Sequence, residues 1–237
     1  METAGYAALS RQSGLIREMR VVANNIANSA TTGFRQEGLI FSEFVSGNKD
    51  EGSVSMGQAR IGNTSFEQGS LTQTNGRFDF AIEGDGFFLL ETPRGERLTR
   101  YGSFIPTDQG DLVTPEGYRL LDPGGTAVFV PPGAEEIGVS SDGTISVDGQ
   151  PLGQVGLFSP AEGARLTRED GVMFSTDGDI DPAPEARVLQ GHLEGSNVNP
   201  IHQMARMIEI QRGYEMGQSF LKAEDNRIRE AVKAMMR

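Results

Sequence analysis

The chain of 237 residues contains no cysteine, no tryptophan and only two histidines. Without thiols there is no disulfide framework, no thiolate zinc site and no cysteine nucleophile. His192 and His202 lack cysteine partners and a flanking carboxylate pattern, so they read as ordinary polar residues and no metal site is expected. No apolar run approaches the ~20 residues of a membrane span, and the protein is not expected to be membrane-embedded. Proline is missing from both ends, since all eleven lie between Pro93 and Pro200. Of 31 glycines, 26 fall within residues 36–200. The ends can therefore form long helices, and the middle cannot.

Positive charge is also scarce. There are 21 basic and 33 acidic groups, a net charge of −12. Residues 1–35 carry four basic and two acidic groups and residues 201–237 carry seven and five, which leaves ten and 26 in the middle, a net of −16. No Lys/Arg cluster is present, so nucleic acid is not an expected partner.

What is present begins with two amphipathic stripes. Leu9, Gln12, Ile16, Met19, Ala23 and Ile26 recur at alternating steps of three and four, which predicts a helix from about residue 2 to 28. It should stop at the turn formers Asn28-Ser29-Ala30-Thr31-Thr32-Gly33, before Phe34. The second stripe runs Met204, Met207, Gln211, Tyr214, Gln218, Leu221, Asp225, Ile228, Val232, Met235, just after Pro200, where proline suits a helix start. At about 1.5 Å per residue the two helices would reach roughly 40 and 48 Å, comparable enough to pair. Polar stripe members such as Gln12, Gln211 and Gln218 suit a seam that specifies register more than a dry core. The apolar members, each worth about 1.5–3 kcal/mol when buried, barely offset the cost of ordering both helices. The ends are therefore expected to become ordered mainly under neighbouring subunits.

Between the stripes, residues 36–76 are polar and rich in Gly, Ser and Asn, and read as an extended arm or linker. Residues 77–193 hold short apolar runs separated by turn dipeptides such as Asp142-Gly143, Asp148-Gly149 and Asp177-Gly178, which predicts an all-β domain. The fold class is thus mixed and mainly β: a Gly-rich all-β centre flanked by an N-terminal helix (residues 1–35) and a C-terminal helix (residues 194–237) that pair as a coiled coil.

Chemistry is hard to find. Gly84-Asp85-Gly86 starts like a dinucleotide fingerprint, but the third glycine position is Leu89 and no helix pattern follows. Asp177-Gly178-Asp179-Ile180-Asp181 imitates a calcium loop, yet Ala183 and Val188 stand where glycine and glutamate are needed. No serine sits in a Gly-x-Ser-x-Gly elbow. No enzyme activity and no cofactor are expected.

One segment is distinctive. Val22-Ala23-Asn24-Asn25-Ile26-Ala27-Asn28-Ser29-Ala30-Thr31-Thr32-Gly33-Phe34-Arg35 resembles the N-terminal signature of the bacterial flagellar basal-body rod and hook family. Asn24 and Asn28 share a helix face where their amides can donate and accept, while Gly33 permits a left-handed turn and Phe34 can anchor the exit. Phe78-Asp79-Phe80-Ala81-Ile82-Glu83-Gly84-Asp85-Gly86-Phe87-Phe88 is similar to the family's central motif. It is followed by Leu98-Thr99-Arg100-Tyr101-Gly102-Ser103-Phe104 and Gly110-Asp111-Leu112-Val113-Thr114-Pro115-Glu116-Gly117-Tyr118. Leu193-Glu194-Gly195-Ser196-Asn197-Val198-Asn199 and Met207-Ile208-Glu209-Ile210-Gln211-Arg212-Gly213-Tyr214-Glu215 resemble its C-terminal signature. The resemblance spans nearly the whole chain. Leu98 departs from it, standing where the family often has tyrosine.

The resemblance implies a non-enzymatic structural subunit of the rod, the hollow shaft that carries torque through the periplasm to the hook. The short arm and compact length are more similar to proximal-rod than to distal-rod members. It also implies export through the flagellar type III apparatus without a cleaved signal, and partners that are other rod proteins and copies of the chain itself. The paired helices would form the inner wall of the tube and the β domain its outer layer. On this reading the subunit interface would include Leu9, Ile16, Met19, Asn24, Asn25, Ile26, Asn28, Gly33, Phe34, Asn197, Asn199, Met204, Met207, Gln211, Tyr214, Leu221 and Ile228. The rival from another class is a secreted β-rich carbohydrate-binding protein with a helical oligomerisation tail. It predicts a secretory signal and aromatic sugar platforms, neither of which the sequence shows.

Overall fold

The computed structural model describes residues 2–48, 52–134 and 136–236. Helix α1 spans Glu2–Ala27 and helix α2 spans Pro200–Met235, as the absence of interior proline allows. Asn199 caps α2, its side-chain oxygen accepting from the backbone N–H groups of Ile201 and His202, both at 3.1 Å. Pro200 follows at the first helical position, where no N–H is needed.

The chain folds as two compact units. The first comprises residues 1–29, 36–66 and 198–237. In it α1 and α2 pair antiparallel, with Gln12 bonded to Tyr214 near one end and Asn25 to Gln203 near the other. Residues 37–64, in the expected arm, form a β-hairpin of strands β1 (Glu37–Asn48) and β2 (Gly52–Thr64), with a bulge between Gly38 and Leu39. Asn25 is almost wholly buried and fixes the start of β1. Its amide nitrogen donates to the Glu37 carbonyl at 2.8 Å and its oxygen accepts from the Glu37 N–H at 2.9 Å.

The second unit, residues 30–35 and 67–197, is the β domain. Its largest sheet has seven antiparallel strands, in the spatial order Leu166–Arg168, Met173–Thr176, Gly95–Thr99, Phe88–Thr92, Arg119–Leu120, Leu112–Val113, Ile105–Pro106. Smaller sheets complete it, among them Ile137–Val139, Thr144–Val147 and Gln150–Gln154. Asp142-Gly143 and Asp148-Gly149 turn within this last sheet, and Asp148 and Gly149 both have positive φ, as a two-residue hairpin turn requires. Asp177-Gly178 does not make a hairpin, because the strands on its two sides join different sheets.

Alternation along the strands splits the apolar residues between two clusters. Phe80, Ile82, Phe88, Leu90, Leu112 and Leu120 belong to the larger, and Phe87, Leu89, Leu98, Leu121, Phe158 and Phe174 form the smaller.

Candidate functional site: the helix pair and the buried junction

The seam between α1 and α2 lies one residue away from the stripe that periodicity singles out on α2. The residues of α2 that face α1 are Gln203, Arg206, Ile210, Gly213 and Gly217, again alternating three and four. On α1 they meet Gln12, Leu15, Glu18 and Asn25. Arg206 grips Glu18 through Nε at 2.7 Å and Nη2 at 2.5 Å, and this bond holds the guanidinium above the ordinary arginine value. Gly217 lets the helices approach closely, while Gly213 leaves room for ordinary contact. A Cβ on Gly213 would stand 3.7 Å from the Leu15 side chain, and one on Gly217 would collide with the Gln12 amide. The sequence signal for this seam was the pair of glycines four apart in an otherwise breaker-free helix.

Pairing therefore leaves the neighbouring stripe outside. Leu9, Ile16, Met204, Gln211 and Ile228 are exposed, and Met19, Ile26, Met207, Tyr214 and Leu221 are partly covered. Ile201, Ile208, Met216, Phe220, Val232 and Met235 add to the exposed apolar surface. Gln12 alone of the stripe on α1 is fully at the seam. From the register, α2 beyond about residue 226 runs past the start of α1. A groove of about 460 Å³ beside the seam is lined by Leu9, Ile16, Tyr214 and Leu221 with Arg17 and Arg20 at its side.

The signature asparagines are internal fasteners. Asn28 donates to the side-chain oxygen and the carbonyl of Asn24, both at 2.9 Å, closing the end of α1. Asn24 also reaches the Glu37 carboxylate at 3.3 Å, while Asn25 is spent on the Glu37 backbone.

In the β domain, residues from three of the sequence motifs meet in one buried cluster. Glu194 accepts from Arg35 at 2.6 Å through one oxygen and from Arg100 at 3.0 Å through the other, with every side chain of the three at most 3% exposed. The Gly69 N–H adds a bond to Glu194 at 2.8 Å. Arg35 also donates to the Glu67 carbonyl, and Arg100 to that of Gly84. Burial holds Arg100 below its ordinary value; the Glu194 carboxylate opposes this and the Arg35 charge reinforces it.

Around this cluster the two crossing segments are stitched together. The Gly33 N–H donates to the Glu194 carbonyl at 2.8 Å and the Asn197 N–H to that of Phe34 at 3.3 Å. Asn197 also donates through its side chain to the Glu67 carbonyl. Phe34, 1% exposed, lies under the Arg168 guanidinium, whose carbon sits 4.4 Å above the ring. Gly33 has φ +69, and a Cβ there would come within 2.5 Å of the Arg100 and Tyr101 backbone. Sequence reading singled out Gly33 and Phe34 but not Arg35, Arg100 or Glu194, although each stood inside a quoted motif. Nothing in linear order pairs two arginines and a glutamate separated by 65 and 94 positions.

Among the described residues no helix is long and apolar enough to cross a membrane, and no group of three or more His, Asp or Glu could hold a metal ion. What the geometry offers is exposed apolar surface on the helix pair and a buried ion cluster in the β domain.

Residues 6–35 match the flagella basal body rod protein family, residues 81–147 the flagellar hook protein FlgE/F/G D1 domain, and residues 189–234 the flagellar basal body rod FlgEFG protein C-terminal family. The chain is 34% identical to the flagellar basal-body rod protein FlgF of Mesorhizobium japonicum over 99% of its own length and 98% of that protein. It is 37% identical to the FlgF of Caulobacter vibrioides, over 95% and 94%. It is also similar to the flagellar basal-body rod protein FlgG of Bacillus subtilis, at 31% over 96% and 97%. Identity of this order from end to end, together with matches at both helices and in the β domain, places the chain in the flagellar basal-body rod protein family, as a structural subunit.

Proposed function

We propose that this chain is a proximal-rod subunit that polymerises through its terminal helices into the hollow shaft of the flagellar motor. The observation that carries this reading is the apolar surface left outside the α1–α2 seam. Ile201 is 78% exposed, Met216 65% and Leu9 56%, on helices that have already paired with each other. Apolar side chains in such rows are costly in water and are covered when subunits stack. The FlgF relatives match at 34–37% identity and the Bacillus subtilis FlgG at 31%, which supports the proximal assignment. The chain would reach its place in the periplasm through the flagellar type III export apparatus, without a cleaved signal, and would touch other rod proteins and copies of itself. The interface would take in Leu9, Ile16, Met204, Met207, Leu221 and Ile228, while Asn25, Gly33 and Phe34 support it from inside the fold.

The test is complementation in the native cell lacking its own copy. Wild type should restore motility and appear in purified basal bodies, and Leu221→Asp should do neither while its β domain remains folded. Full motility of the Leu221→Asp strain, or absence of the wild-type chain from basal bodies, would sink the reading.

A further inference from the structure

The outer end of the seven-stranded sheet carries a second unpartnered apolar feature. Ile105 is 53% exposed and Phe129 45%. They share a face: Val113 stands opposite Ile105, Asp111 opposite Phe129, and alternation puts Asp111 and Val113 on the same side of their strand. The other side of these strands, with Leu112, Val128 and Val130, is buried in the larger cluster. The face is acidic. Between residues 101 and 134 the carboxylates are Asp108, Asp111, Glu116 and Asp122, and the single cation is Arg119. Arg119 is already held by Asp111 at 3.2 Å and Glu91 at 3.4 Å. Asp108 lies in the turn that follows Ile105–Pro106, and Glu116 in the turn that follows Val113.

The groove beside the helix seam has the opposite character. Leu9, Ile16, Tyr214 and Leu221 give it an apolar lining, Arg20 supplies positive charge, and its volume of about 460 Å³ accommodates an aromatic ring with room for its neighbours. Glu18, the one carboxylate on α1 between Leu9 and Asn25, is committed to Arg206.

We propose that the Ile105–Phe129 face of one copy docks into the Leu9–Ile16–Arg20 groove of a second copy, with Phe129 as the buried anchor and Asp108 and Glu116 meeting Arg20. Aromatic anchors in desolvated pockets dominate interface energetics, and opposite charge at the rim sets register and orientation. The two surfaces are different, so the contact is heterologous and propagates from copy to copy, where a twofold contact would stop at a dimer. This deepens the rod reading, on which it rests, by naming the two faces that meet.

The absence of cysteine makes the test clean. Purified Ser13→Cys and Val113→Cys variants, which leave Phe129 and the apolar lining in place, are mixed, oxidised and mapped by peptide mass. The 13–113 disulfide should exceed random pairing relative to the 13–13 and 113–113 products. Adding Arg20→Glu to the first variant should lower its yield about threefold, and Asp108→Lys in the second should restore it. In uncross-linked chain, Phe129→Ala should weaken self-association about 30-fold. A 13–113 yield at the random level, or one indifferent to the charge changes, overturns the docking. That failure is distinct from failure of the rod reading, which is registered by absence of the wild-type chain from basal bodies whatever the cross-link shows.

Discussion

Arg35 and Glu194 are 159 positions apart in sequence and 2.6 Å apart in space, and neither side chain has any exposed surface. The pair ties the segment that leaves α1 to the segment that leads into α2, and Arg100 makes it a triad with one carboxylate between two guanidiniums. Among the described residues nothing accepts from Nε or Nη2 of Arg35, so Glu194 is the dominant counter-charge.

Glu194→Ala should therefore be among the most destabilising substitutions in the β domain. Removing the shared carboxylate leaves two buried guanidiniums facing each other, a loss of about 3–5 kcal/mol. Urea unfolding of the purified chain reads it. A change below about 1 kcal/mol would mean the triad is not holding the junction.

Gly33→Ala and Gly117→Ala both place a side chain at positive φ, +69 and +89, but only at Gly33 does the new Cβ meet backbone; at Gly117 nothing lies within 4 Å. Left-handed backbone costs a non-glycine residue about 1–2 kcal/mol. Gly117→Ala should cost about that much, and Gly33→Ala clearly more, as judged by thermal unfolding. Equal shifts in Tm would contradict the close approach of Gly33 to Arg100.

Ile210 and Ile228 lie on the same helix, 2% and 50% exposed. Ile210→Asp buries an unpaired charge in the seam and should cost about 3 kcal/mol or more, with loss of helical circular dichroism. Ile228→Asp should change stability by no more than about 0.5 kcal/mol and still block rod assembly. Normal basal bodies in the second variant would argue against the outer stripe as an assembly surface.

Asn25→Ala strips both hydrogen bonds from the Glu37 backbone. Amide exchange at Glu37 should accelerate about tenfold or more, since an unmade buried bond costs about 1–3 kcal/mol. Unchanged protection there would show that β1 is fixed by other means.

Glu169 lies below its ordinary carboxylate value, chiefly because Arg97 donates to it. A depressed folded value means its contribution is complete above the unfolded value of about 4.3 and disappears as pH falls through the lowered one. Arg97→Met should flatten the stability profile in that acid window and leave its slope near neutrality unchanged. An identical acid limb in the two proteins would refute the assignment.

How much of this was legible beforehand depends on the range of the interaction. Helix against strand is a local matter. Two ends without interior proline and with alternating three-and-four spacing became α1 and α2, and Asp148-Gly149 became a hairpin turn because its backbone preference is its own. Asn199 was read as an interface residue and sits at the cap of α2; as an asparagine before proline it carried that signal too. The hairpin of residues 37–64 was harder, because glycine and serine dilute the alternation on which strand reading relies.

Local chemistry thus settled the class of both helices and, through its ordered motifs, the family, while the long hairpin of residues 37–64 escaped it. It could not select which helical stripe turns inward. Rows one residue apart on α2 are separated by only about 100° of rotation, and the choice fell to tertiary packing such as that at Gly217, whose missing side chain admits Gln12. Nor could it foresee that Arg35, Arg100 and Glu194 share one dry site, because their attraction exists only once three remote segments have been brought together and water has been removed.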